Sequence, residues 1–212
     1  MNKLIAISAA LLLLSACSDD DDNDRPDTGT DPTTGQNFRS TTGKGVDEEP
    51  SNTFRIPTCG DDRKLGYITM RWRTPLPAGA TFTMAFNVWL SEGASVVGYE
   101  EMNVAGRAAL HFQRKSPDSD DPYALSEKLY NRGYRQWSHT REMLTSGDHV
   151  FSAVLKNELW TGGGSQADSA FNNALNDPGY AGITLSGSQT AGHGVCMTAG
   201  TGYVTIYNLS VQ

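Results

Sequence analysis

The chain has 212 residues with 24 acids against 17 bases, a formal net charge of −7, 22 glycines and only 19% charged residues. One domain with appendages fits that length. The charge excludes electrostatic partnership with nucleic acid, which needs a basic stripe to neutralise phosphates. The abundance of glycine and scarcity of charge exclude a long helical or coiled-coil protein and favour a turn-rich β fold.

Residues 1–17, MNKLIAISAALLLLSAC, place one lysine before an apolar core that ends in small residues. This is the plan of a secretory signal, and it is short for a membrane span. Its end, Leu14-Ser15-Ala16-Cys17, resembles the lipobox of bacterial lipoproteins. That resemblance implies cleavage before Cys17, attachment of a diacylglycerol to its thiol and of a further acyl chain (palmitate and related chains) to its freed amine, and membrane attachment through these chains. Several chains on one residue hold durably where a single chain holds only marginally. Residues 18–55 are poor in apolar side chains, a composition that reads as a disordered acidic tether. Ten acids and four bases give this segment −6, while residues 56–212 carry fourteen acids and twelve bases and are nearly neutral. Ser18 followed by four aspartates resembles a surface-export signal of some Gram-negative lipoproteins, which implies display at the outer membrane or cell surface.

Once Cys17 is acylated, Cys59 and Cys196 remain. An even pair in an oxidising compartment predicts a disulfide between them, tying the start of the domain to its end.

From residue 56 onward, short β-rich runs alternate with Gly, Pro, Asp and Asn turns. In Leu65–Trp72, Ile68, Met70 and Trp72 fall on one face and Tyr67, Thr69 and Arg71 on the other. In Thr81–Leu90, Phe82, Met84, Phe86, Val88 and Leu90 form a core stripe opposite Thr83, Ala85, Asn87 and Trp89. Further strands are predicted over 94–102, 107–115, 134–140, 149–157, 181–187, 194–200 and 203–211. Two short helices are predicted. The first covers 121–133, capped by Asp121 with Pro122 at its first position. The second covers 165–179, with Ala170, Phe171, Ala174 and Leu175 on one face and a stop at Asp177-Pro178-Gly179. Without βαβ alternation, the expected fold is an all-β, antiparallel two-sheet sandwich over 56–212. The closing stretch Ala199–Val211 resembles the last strand of jelly-roll and concanavalin A-like domains.

The strand faces opposite the core carry Arg71, Asn87, Trp89, Tyr99, His111, Gln113, Arg135 and Trp137, with Tyr67, Glu101 and His139. Rings that stack on sugar C–H faces beside amide and guanidinium donors are what carbohydrate recognition needs. These residues are therefore the expected ligand surface, provided the strands share one sheet. His111, Gln113, Arg71 and a tyrosine also resemble, in residue types, jelly-roll polysaccharide lyases, which implies the alternative of an enzyme acting on acidic polysaccharide. A glycoside hydrolase would need a partner for Glu100 or Glu101 such as Glu92, Glu142 or Asp148, since adjacent strand residues point to opposite faces. A structural or adhesive envelope lipoprotein is the third reading. Gly163–Ala167 imitates a nucleophile elbow followed by Asp177 and His193, but lacks the final glycine and the parallel sheet behind it. No cofactor is expected. Calcium at Asp118, Asp120 and Asp121 is the one alternative, although that loop lacks the glycine and the closing glutamate of an EF-hand.

Overall fold

The computed structural model describes residues 36–42, 45–46, 52–60, 63–114, 136–162, 168–188 and 193–212. Among them the strands are β1 (Arg39–Thr42), β2 (Gly45–Val46), β3 (Thr53–Arg55), β4 (Leu65–Arg71), β5 (Thr81–Leu90), β6 (Ser95–Gly98), β7 (Glu101–Ala105) and β8 (Arg107–Arg114). There follow β9 (Gln136–Ser138), β10 (Glu142–Met143), β11 (Gly147–Val154), β12 (Thr161–Gly162), β13 (Pro178–Ser186), β14 (Val195–Ala199) and β15 (Gly202–Val211), with one helix, α1 (Asp168–Asn176).

The strands form two antiparallel sheets. The larger runs β12-β9-β8-β13-β4-β14-β6-β7, with β10 beside β8 and β1, itself paired with β2, beside β4; the smaller runs β11-β5-β15-β3. Period-two alternation creates the interface between them. β5 sends Phe82, Met84, Phe86 and Val88 inward, where β11 adds Phe151 and Ala153 and β15 adds Val204, Ile206 and Leu209. Opposite them the large sheet supplies Ile68, Leu110, Phe112, Ala181, Ile183, Leu185, Val195 and Met197, all buried. The facing predicted for 65–72 and 81–90 is the facing observed.

One end of the sandwich is closed by aromatic packing. Trp160 meets Phe112 edge-on with centroids 5.1 Å apart and Phe82 at 5.9 Å, and its indole N–H donates to the Val154 carbonyl at 2.9 Å. Helix α1 lays Phe171, Ala174 and Leu175 against the same region. It stops at Asn176, as Asp177-Pro178-Gly179 requires, because proline has no N–H and clashes with the preceding turn.

The Cys59–Cys196 disulfide is formed, with Cα atoms 5.0 Å apart. Hydrogen bonds from Cys59 N to Met197 O and from Met197 N to Pro57 O align the two segments around it. Because Cys59 follows β3 of the small sheet and Cys196 lies in β14 of the large one, the bond also joins the two sheets.

Two expectations change. The segment from Gln36 to Arg55 is not all tether: β1 joins the large sheet and β3 the small one, and Phe38 and Phe54 are buried. Its average composition is polar, but one inward ring for each strand, Phe38 just before β1 and Phe54 within β3, is enough to seat it. The run 94–102 is two strands rather than one, broken by a turn at Tyr99-Glu100. The helix expected over 121–133 lies outside the described residues.

A β-bulge in β15 between Ile206 and Asn208 resets its alternation, leaving Tyr207 outward and returning Leu209 to the core. The Gln36 side-chain amide pairs with the Leu209 backbone in both directions, at 2.8 and 3.1 Å, in the manner of a neighbouring strand.

Candidate binding faces

The expected ligand residues divide between the two outer faces of the sandwich. Asn87 and Trp89 lie on β5 of the small sheet, whereas Arg71, His111 and Gln113 lie on β4 and β8 of the large one. Tyr99 sits in the β6–β7 turn with the Lys64 ammonium 5.5 Å from its ring centre. The Trp137 backbone pairs with Phe112 and Gly162, and its side chain is outside the described residues, as are Arg135 and Cys17. A single surface carrying all of these residues is not formed, because the strands that bear them belong to opposite layers.

The small sheet presents an aromatic and polar platform. Trp89 and Tyr203 are cross-strand partners with ring centroids 5.9 Å apart, and Trp89 is 52% exposed. Tyr207, carried outward beside the bulge, is 59% exposed. Its hydroxyl donates to Asp148 Oδ1 at 3.2 Å, and Asn87 Nδ2 donates to the same oxygen at 2.8 Å. Lost hydration and then the bond to Asp148 hold the Tyr207 phenol above its ordinary range, so it remains a donor. Around these groups the face carries hydroxyls joined across strands, Thr53 with Thr205 at 3.1 Å and Thr83 with Ser152 at 2.9 Å. Of the six large hydrophobic side chains that stand exposed among the described residues, Trp89, Val150 and Tyr207 share this face, so exposed apolar area is concentrated here. Asp148 and Arg55 are the charged residues that the strand register places on it, so the platform carries no net charge.

The outer face of the large sheet is different. Register sets Tyr67 level with Thr184 and Ala109, Thr69 level with Gly182 and His111, and Arg71 level with Tyr180 and Gln113. The Tyr67 and His111 rings lie 5.0 Å apart. His111 and Gln113 are 0% and 3% exposed, and Thr69 and Thr184 are also buried. None of Tyr67, Thr69, His111, Gln113, Tyr180 and Thr184 lacks a partner. Arg71 alone of the predicted set on this face is exposed. His139 turns towards Trp160, 5.7 Å away, where burial holds its imidazole below the usual range and hence neutral at pH 7.

A charged cluster closes the β6–β7 end of this sheet. Glu100 accepts from His193 Nδ1 and pairs with Lys64 at 3.4 Å; the His193 bond is the main reason its carboxyl is held low. Glu101 accepts from the Ser188 backbone N–H and, at 2.8 Å, from its hydroxyl, and these two bonds likewise lower its carboxyl. Because Glu100 lies in the turn, strand alternation does not part the two carboxylates, and both reach the segment that follows β13. Asp177 stands at the start of β13 beside Arg114, while His193 lies beyond its end. At about 3.3 Å per residue they are roughly 25 Å apart, so no hydrolase triad joins them. The elbow at 163–167 and the acidic loop at 118–121 lie outside the described residues. Among the described residues no three His, Cys, Asp or Glu side chains are grouped to hold a metal.

Sequence reasoning found Asn87 and Trp89 but missed Tyr203 and Tyr207. The outward alternation 203, 205, 207 was available as a signal, since the bulge changes the facing only after Tyr207. No protein-family model, curated protein or solved structure matches the chain.

Proposed function

We propose that the chain is an acylated envelope lipoprotein whose β-sandwich binds carbohydrate on the outer face of its small sheet. The observation that carries this reading is the array of exposed Trp89 and Tyr207 with half-buried Tyr203 around the hydrogen-bonded Asn87–Asp148 pair. Aromatic faces accept the apolar C–H faces of sugar rings, while the amide, carboxylate and hydroxyls between them exchange hydrogen bonds with sugar hydroxyls. Holding Asp148 between two donors fixes its orientation before a ligand arrives, which lowers the ordering cost of binding. The lipobox at Leu14–Cys17 and a disulfide suited to an oxidising compartment support an extracytoplasmic, membrane-attached setting.

The test is titration of neutral oligosaccharides, selected on a glycan array, against the acylation-free domain with its 18–55 segment. Trp89→Ala and Tyr207→Ala are expected to raise Kd about tenfold or more each, the range of a buried aromatic contact, at unchanged melting temperature. Unchanged affinity in both variants overturns the reading. Loss of radiolabelled palmitate incorporation in Cys17→Ser tests the anchor. A polysaccharide-active enzyme is the second reading, favoured by the Tyr67–His111 ring contact on the other face. It requires new unsaturated or reducing ends that vanish in His111→Ala, whereas capture of an envelope protein without any glycan signal points to an adhesive role.

A further inference from the structure

The outer face of the large sheet holds a group of donors that its own side chains leave unanswered. Arg107 and Ser186 are direct partners in the β8–β13 ladder, and both point away from the core, since their neighbours Ala108 and Leu185 are buried within it. Arg141 approaches from the opposite edge of β8, one residue before β10, whose Met143 is paired with Arg107. From there its side chain reaches across β8 and donates from Nη1 to the Ser188 carbonyl at 3.2 Å, two residues beyond Ser186. Register and this bond thus put both arginines and Ser186 on one face, at the same end of β8 and β13. Arg107 Nε, Arg141 Nε and Ser186 Oγ are all buried and have no hydrogen-bond partner, and Ser186 is only 1% exposed.

Buried polar groups are normally satisfied, and a guanidinium N–H left without an acceptor is a costly exception. The nearby acid offsets part of the charge, because Glu101 attracts Arg141 through space, but its oxygens bond to the Ser188 N–H and hydroxyl and leave both Nε–H groups without an acceptor. Burial first, and then the Arg107 charge acting against the pull of Glu101, leave the Arg141 guanidinium below its ordinary range. Both arginines keep part of their side chains at solvent, so a ligand can enter. A group made only of acceptors, with several lone pairs and a negative charge, fits all three donors at once.

We propose that Arg107, Arg141 and Ser186 form an oxyanion site that takes the carboxylate or sulfate group of an acidic ligand. It is separate from the platform on the small sheet and does not depend on it. The guanidinium forks supply paired N–H donors and the Ser186 hydroxyl a third, while the cations supply the charge that selects against a neutral ligand.

The test is calorimetric titration of the disulfide-intact protein with inorganic sulfate, with a trigalacturonate and with a neutral trisaccharide, at ionic strength held equal with chloride. The expected result is binding of sulfate, trigalacturonate or both. Sulfate alone indicates a free or ester oxyanion as the source, and trigalacturonate alone indicates a glycan-borne carboxylate. Arg141→Gln and Arg107→Gln are expected to weaken that binding at least tenfold, and Ser186→Ala severalfold. Arg141→Lys, which keeps the charge and is the least disruptive to folding, is expected to lose part of it because it removes the fork. Trp89→Ala leaves this binding unchanged, which separates failure here from failure of the platform. No response to either anion beyond chloride, or an equal response in wild type and both glutamine variants, overturns the proposal.

Discussion

The disulfide offers the sharpest quantitative test of how this sandwich is held together. Cys59 and Cys196 are separated by 137 positions, and the chain-entropy model gives a crosslink of that span about 5 kcal/mol of stabilisation through the unfolded state. Cys59→Ala/Cys196→Ala removes the bond without burying a hydroxyl at position 196, which is fully buried. Native contacts near the bond, from Cys59 N to Met197 O and Met197 N to Pro57 O, remain available, so the loss is expected to be thermodynamic with the fold retained. For a domain of this size, 1 kcal/mol corresponds to roughly 2–4 °C, which places the melting temperature roughly 10–20 °C lower. Urea unfolding followed by tryptophan fluorescence gives the free energy. The slope with denaturant is expected to rise as well, because the uncrosslinked chain exposes more surface on unfolding. Wild type under reductant serves as the control and is expected to match the double variant. A loss below about 1 kcal/mol in both would refute the reasoning, and would mean that the two sheets are joined well enough without the bond for its closure to add almost nothing.

Three other substitutions probe the fold. Phe112→Ala removes the ring that Trp160 and Phe171 both meet edge-on, and is expected to cost about 3–5 kcal/mol in the same urea assay. Gly182→Ala would set a Cβ 2.2 Å from the Ile68 carbonyl oxygen and 2.8 Å from Thr69 Cα, both backbone atoms of the adjoining strand. Forced displacement of β4 is expected to cost about 1–3 kcal/mol, and a neutral result would show that β13 and β4 can part without penalty. The third concerns pH. The Glu100 carboxyl is lowered in the folded state, first by the His193 hydrogen bond, so it adds stability above about pH 4.5, and that stability is lost as pH falls through the folded value. Glu100→Gln is therefore expected to flatten the acid limb of the stability profile. The effect is small, because Glu100 and His193 are both well exposed, and 0.5 M salt should shrink it further. An acid limb identical in wild type and variant counts against the pair.

Features that depend on near neighbours in the chain were legible before any coordinates. Alternation along Thr81–Leu90 put Phe82, Met84, Phe86 and Val88 inward and Asn87 and Trp89 outward, because successive strand residues point to opposite faces whatever the partner strand is. The stop at Asp177-Pro178-Gly179 ended α1 at Asn176 for an equally local reason. The Cys59–Cys196 pairing was the one expected with Cys17 set aside, and the bond is formed. Which outward faces lie together follows from the long-range pairing of strands. Strands β4 and β5 are successive in the chain yet belong to opposite sheets, so Arg71 and Trp89 look away from each other, although each was correctly read as pointing outward. The same long-range pairing brought Arg141 from beyond β9 to Ser188 after β13, and took residues from the polar stretch before position 56 into both sheets. Side-chain alternation is a property of one strand with a period of two, whereas sheet membership is set by hydrogen bonds between residues as far apart as Gln36 and Leu209, which no local pattern encodes.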